Sequence, residues 1–236
     1  MRHCSVIPLL ALAATFFVGC QDKHSSTSSP NGLENGFTPL FNGHNLAGWS
    51  YEKQLDGSES KAGVGYQVRE DGVVYSTATD GGVLMTDKQY DDFVLRFEYK
   101  LVPNANNGIG IRTPEGGNPS YRGMEIQILD DTGSKYHAPN REIRPTQYNG
   151  SIYDIVPAEQ GHLKPVGEWN SEEIVARGSH IKVTLNGATI VDADLKSITD
   201  EHVLAKHPGV RNKTGHIALL GHGAEVEFRN MRVKEL

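Results

Sequence analysis

The nine residues from Phe93 to Leu101, FVLRFEYKL, alternate without a break: Phe93, Leu95, Phe97, Tyr99 and Leu101 on one side, Val94, Arg96, Glu98 and Lys100 on the other. Successive side chains of a strand point to opposite faces, so this pattern specifies a strand with one face on a core and one in water. The alternation recurs at GIGIRT (108–113), MEIQILD (124–130), SIYDIV (151–156), WNSEEIVARG (169–178), HIKVTLNG (180–187), ATIVDADL (188–195), GHIALLG (215–221) and VEFRNMRVKEL (226–236). Asp71-Gly72 and Asn186-Gly187 each separate two such runs and are expected to form type I′ hairpins, whose two turn positions both need positive φ. The one helix expected is short, within SITDEHVLAKH (197–207). Many short strands and almost no helix define an all-β chain, an antiparallel β-sandwich or jelly roll.

The first nineteen residues stand outside that pattern. Arg2 precedes an apolar run, Val6 to Val18, that ends in Gly19 and Cys20. The run is too short to span a bilayer comfortably and reads as an export signal. Its end, FVGC, resembles the lipobox of bacterial lipoproteins, with Phe17 where Leu is usual. That resemblance implies removal of residues 1–19, lipidation of Cys20, and export to the periplasm or cell surface with the lipid as the sole membrane attachment. A plain cleaved signal is the alternative. Residues 20–36, rich in Ser, are expected to be a flexible tether, and residues 37–236 a single domain. With Cys4 removed and Cys20 lipidated, no thiol remains for disulfides, metal binding or nucleophilic catalysis. The formal charge of −6 becomes −7 once Arg2 is lost with the signal, and there is no basic cluster, which argues against a nucleic-acid partner.

Polar residues interrupt the apolar pattern most conspicuously at GMEIQILDD (123–131). Glu125 and Gln127 share a strand face, opposite Met124, Ile126 and Ile128. Asp130 falls on the Met124 side unless a bulge near Leu129 rotates it back to join them. The spacing E-x-Q-x-x-D is similar to the E-x-D-x-x-E signature of jelly-roll β-glucanases. Here it suits a retaining pair poorly, since such carboxyl groups stand about 5–5.5 Å apart and Asp is a methylene shorter than Glu. A solvated strand face without chemistry is the competing reading. Arg112, on a strand after an Asn-rich turn, offers a fork of donors for a sugar oxygen, an enolate or a carboxylate. Tyr136 and His137 lie in the long polar connection at 131–150, and His222 stands between two glycines. A connection of that length, like the one at 206–215, is expected to cover a site. Trp49 and Trp169 are expected to be buried in the sandwich. No H-x-H or H-E-x-x-H spacing supports a metal site, no cofactor is indicated, and a divalent metal assembled from scattered ligands stays open.

Taken in order, FTPLFNGHNLAGW, FVLRFEYKL, NNGIGIR, GMEIQILDD, GEWNSEEIVARGSHIKVTLNGATIVDAD and GHIALLGHGAEVEFRNMRVKEL resemble the 3-keto-disaccharide hydrolase domain, also known as domain of unknown function 1080, over about Gly36 to Leu236. The resemblance implies a concanavalin-like jelly roll acting on glycosides already oxidised to a ketone at C3, in company with a sugar C3 oxidoreductase. By motif, Arg112 matches the arginine of NSGIxxR, and Asn107 stands where Ser is frequent. Glu125, Gln127 and Asp130 match ExQxxD, and His222 matches a terminal HG. Many members read LQDHG where this chain has Leu220 and Gly221 before His222.

A C3 ketone acidifies the proton on C2, so a base can form an enolate, expel the C1 substituent and leave a double bond to which water adds. On this reading Glu125 or His137 is the base, Asp130 the partner acid or orienter, Arg112 the enolate stabiliser and Gln127 a ligand of sugar hydroxyls. Asn107, Tyr136 and His222 complete the expected saccharide site. Rival classes are a non-catalytic glycan-binding module, an inert surface scaffold, and a glycoside hydrolase acting on unoxidised substrates.

Overall fold

In the computed structural model the chain separates into two compact units, Met1–Asn35 and Gly36–Leu236. The structure describes Met1 and residues 34–51, 65–77, 82–139 and 142–236. The expected signal, Cys20 and most of the tether lie outside the described residues.

Among the described residues the second unit has thirteen strands: β1 (Thr38–Pro39), β2 (Trp49–Tyr51), β3 (Tyr66–Val68), β4 (Val74–Ser76), β5 (Val83–Tyr90), β6 (Phe93–Leu101), β7 (Asn106–Thr113), β8 (Met124–Leu129), β9 (Trp169–Arg177), β10 (His180–Leu185), β11 (Ala188–Asp194), β12 (Gly215–Leu220) and β13 (Val226–Glu235). Two short helices join them, α1 (Pro119–Arg122) and α2 (Glu201–Lys206). All pairings are antiparallel. One sheet runs β11-β10-β9-β6-β13-β4-β3 with β1 also on β13, and the other runs β2-β5-β12-β7-β8. This is the jelly-roll sandwich that the alternation predicts. Strand β6 buries every odd residue from Phe93 to Leu101, and those rings meet Ile109, Ile111, Ile126, Ile128, Ile217 and Leu219 of the opposite sheet in one apolar core.

Local differences from the sequence reading have physical causes. Asn186 and Gly187 both adopt positive φ, 50° and 88°, as a type I′ turn needs. At Asp71-Gly72 only Gly72 does. There the hairpin loop is longer, with Arg69 N donating to Val73 O and Gly72 N to Arg69 O, because the Asp71 carboxylate accepts from Val73 N and closes an Asx turn. SIYDIV forms a compact turn, not a strand: Ile152 pairs singly with Ile126 and Val156, and Asp154 takes φ 59°. The added helix α1 begins with Asn118 accepting from Ser120 N and Pro119 at the first helical position, a pairing that starts helices. Trp49 is buried, stacked on Phe41, whereas Trp169 lies half-buried on the outer face between Lys100 and Arg229.

Candidate active site

The outer face of the five-stranded sheet carries the site. Strands β7 and β8 pair in unbroken register from Asn106↔Leu129 to Ile111↔Met124, so Glu125 lies opposite Gly110 and Gln127 opposite Gly108. Directly opposed residues share a face, which puts Asn106, Gly108, Gly110, Glu125 and Gln127 together, away from the core side occupied by Ile109, Ile126 and Ile128. Gln127 Nε2 donates to Asn106 Oδ1 at 3.1 Å. Glu125 leans across Gly108 so closely that any Cβ there would fall within its carboxyl group, which is why NNGIGIR carries glycine at that position.

Glu125 is 2 % exposed, and its Oε1 has no hydrogen-bond partner. Burial pushes its carboxyl up to about 7; a hydrogen bond from Ser120 pulls against that rise and the Asp154 charge adds to it. His222 Nε2 stands 4.0 Å from Oε1, on a side chain 48 % exposed. Desolvation, helped by the Lys135 charge, lowers the His222 pKa, so the imidazole is neutral near pH 7. The loop Tyr148–Val156 borders the outer edge of β8, with Tyr153 N donating to Glu125 O, Gln127 N to Ser151 O and Gly150 N to Gln127 O. That loop brings Tyr153, whose hydroxyl accepts from Gln147 Nε2 at 3.1 Å, and Asp154, which is paired with both Arg144 and Lys206. The arrangement supplies one carboxyl poised to exchange a proton near neutrality, a neutral imidazole beside it, and amide and phenol groups able to hold hydroxyls.

The structure brings Glu125, Gln127 and His222 together and takes other expected residues elsewhere. Arg112 is not in the site. Positive φ (49°) turns it off the strand face, and its guanidinium, 2 % exposed, donates to Asp91 O, Gly178 O, Asn212 O and Asp92 Oδ1, tying the ends of the two sheets together. Asp130 does not rejoin Glu125, because no bulge interrupts β8. Its carboxylate accepts from Asn104 N, Thr132 N and Thr132 Oγ1 and fixes the turn beyond the strand. Asn107 faces the core and bonds the Tyr66 hydroxyl. Tyr136 is buried, with its hydroxyl on Asn104 O, and His137 is exposed, its Nε2 donating to Asp131 O.

Ser120, Tyr153, Asp154, Arg144 and Lys206 escaped sequence reading. Asn118-Pro119 is a legible helix start that would have located Ser120; the others lack any local signal. Among the described residues no group of three His, Cys, Asp or Glu side chains is placed to hold a metal. Cavities of 380 Å³, lined in part by Arg122 and Lys213, and 140 Å³, lined in part by Asp87 and His216, do not include Glu125.

The outer face of the jelly roll thus presents a buried carboxyl, Glu125, its pKa raised to about 7 among polar side chains. The chain belongs to the 3-keto-α-glucoside-1,2-lyase-like domain family, whose model matches residues 36–234. It is 28 % identical over 239 residues, 85 % of this chain and 79 % of the relative, to a 3-keto-disaccharide hydrolase of Bacteroides thetaiotaomicron. Among solved structures it is similar to two of candidate glycosyl hydrolases from Parabacteroides distasonis. One matches at TM-score 0.72 and 26 % identity, covering 85 % of this chain and 94 % of that one; the second matches at 0.69 and 26 %, covering 86 % and 100 %. Family and relative together support a carbohydrate-active function of the 3-keto-disaccharide hydrolase type.

Proposed function

We propose that the protein cleaves 3-keto glycosides by elimination and hydration, with Glu125 as the base. The observation that carries this is the unpartnered Glu125 Oε1, on a carboxyl poised near pH 7 and facing His222 at 4.0 Å. A base whose pKa lies near the working pH combines a substantial ionised fraction with real proton affinity. Ionised Glu125 takes the C2 proton, the C2–H electron pair forms the enolate conjugated with the C3 oxygen, and collapse of the enolate breaks the C1–O bond. The departing oxygen needs one proton and Glu125 has just gained one, so the neutral His222 imidazole can pass it across without any net proton from solvent. Water then adds its hydroxyl to C1 and a proton to C2. Tyr153, whose hydroxyl already accepts from Gln147, keeps its own proton to donate to the enolate oxygen, in place of the role expected for Arg112. Gln127 and Asn106 hold sugar hydroxyls. Access to the buried carboxyl is by displacement of the loop carrying His222, which Gly221 and Gly223 flank.

The proposal extends to export, anchoring through Cys20, and supply of substrate by an oxidoreductase acting at sugar C3. The test is release of aglycone from matched native and 3-keto glucosides by the wild type, Glu125→Gln and His222→Ala. Selective turnover of the keto substrate is expected, reduced about 10²- to 10⁴-fold in Glu125→Gln. Wild-type turnover by Glu125→Gln, or equal cleavage of the native glucoside, would refute it.

A further inference from the structure

The Tyr153 hydroxyl belongs to a closed cycle of hydrogen bonds whose directions are fixed one by one. The cycle starts at the 3₁₀ turn Pro145–Gln147, where Gln147 N donates to Arg144 O at 2.9 Å and the Gln147 side chain folds back onto Arg144 N. A main-chain N–H can only donate, so the amide oxygen, Oε1, must be the atom that faces Arg144 N at 3.0 Å. The amide nitrogen is thereby turned toward Tyr153, and Nε2 donates to the phenol oxygen at 3.1 Å. An amide nitrogen offers no lone pair in return, so the phenol proton points away from Gln147, and among the described residues no acceptor takes it.

Asp154 closes the cycle. It holds a φ of 59°, which a residue other than glycine keeps only when its surroundings enforce it. They do: Asp154 N donates to Thr146 O at 3.0 Å, Oδ1 pairs with the Arg144 guanidinium, and Oδ2 accepts from Lys206 Nζ at 2.6 Å. Arg144 thus orients Gln147 with its backbone and anchors the residue after Tyr153 with its side chain. Tyr153 N donates to Glu125 O at 2.9 Å, so the cycle is bonded to the site strand at Glu125 itself.

We propose that Gln147 is a positioning residue for Tyr153, holding the phenol with a lone pair occupied and its proton presented, so that the hydroxyl meets the substrate only as a donor. Gln147 acts through the phenol and carries no step of the reaction. A fixed donor suits a ketone or enolate oxygen, which has no proton of its own to place, better than it suits the hydroxyl of an unoxidised sugar. This rests on the reading of Tyr153 as the donor to the enolate oxygen, and the experiment separates the two.

Gln147→Glu keeps the shape and the bond from Arg144 N but puts an acceptor where the donor was, which reverses the phenol; Gln147→Met removes the donor without adding one. With tyrosine labelled with ¹³C at Cζ, the Tyr153 resonance is assigned by its loss in Tyr153→Phe. At pH 7 it should move downfield, toward the phenolate position, in Gln147→Glu, where the O–H is given to a carboxylate, and much less in Gln147→Met. On a 3-keto glucoside kcat should fall about 10²-fold in Gln147→Glu with KM little changed. In a Tyr153→Phe background the same substitution should cost nothing further, because its whole effect passes through the hydroxyl. A Tyr153 resonance unmoved in folded Gln147→Glu, or full additivity of the two substitutions, overturns the proposal. A fully active Tyr153→Phe enzyme would instead remove Tyr153 from the reaction and leave the spectroscopic result standing.

Discussion

Glu172 is a carboxyl group in the wrong place for a core. It lies on β9 between Phe97 of β6 and Leu185 of β10, 1 % exposed, and neither of its oxygens has a hydrogen-bond partner. Desolvation pushes its pKa from an ordinary 4.5 to about 8. Below 4.5 the folded and unfolded chains both hold the proton and the group is neutral to stability. Above 4.5 the unfolded chain releases it while the folded chain keeps it, so stability falls as pH rises, at about 1.4 kcal/mol per unit, until the folded group ionises near 8. The loss is about 3 kcal/mol at pH 7, a large share of the ~5–15 kcal/mol that holds a domain together. Glu172→Gln keeps the shape and removes the titration. Urea unfolding of both proteins from pH 4.5 to 9 should give similar stabilities at the acid end and a gap opening to about 3 kcal/mol in favour of Gln by pH 7, then levelling above 8. Glu125 and Asp131, also raised, contribute the same slope to both proteins and cancel. A difference independent of pH would refute the reasoning, because it would mean that Glu172 ionises in the fold as it does in the unfolded chain.

Gly108→Ala drives a methyl group into the Glu125 carboxyl, so turnover should fall by about 10²-fold with thermal stability down by a few degrees, read from kinetics and a melting curve together. Arg112→Met removes a buried cation holding four acceptors and leaves Asp92 with Gly178 N but without its ion-pair partner; urea unfolding should show a loss of about 3–5 kcal/mol, with kcat of the folded fraction unchanged.

The sandwich was legible because period-two alternation is written residue by residue, and β6 alone fixes which side faces the core. Type I′ geometry held at Asn186-Gly187, where both residues tolerate left-handed backbone, and gave way at Asp71, whose side chain preferred a local bond to Val73 N. The site was legible only along its strand. Glu125 and Gln127 follow from alternation, but Asp130, in the same motif, and Arg112, in the motif of the neighbouring strand, diverge in space: Arg112 takes positive φ, and Asp130 lies one step past the last paired residue. Periodicity says nothing where backbone regularity stops. Asp154 and Lys206 reach Glu125 through a turn and a helix end whose placement depends on tertiary contacts no short pattern encodes.

Glu125 and Glu172 meet the same desolvation with different company, and that difference separates a structural burden from a usable acid. Glu172 is buried with neither oxygen hydrogen-bonded and no charge to offset the desolvation, so its raised pKa is pure cost. Around Glu125 one oxygen is steadied by Ser120 and the other faces His222 at the boundary with solvent, so a proton can arrive and leave. Ser120 draws the carboxyl down from where burial alone would leave it, and Asp154, restrained by Arg144 and Lys206, holds it up. The value of about 7 comes first from burial, with Ser120 pulling it down and the Asp154 charge adding to the rise. The glycine beneath the carboxyl completes the logic: with no side chain at 108, the acid lies against the sheet backbone, and burial there desolvates it.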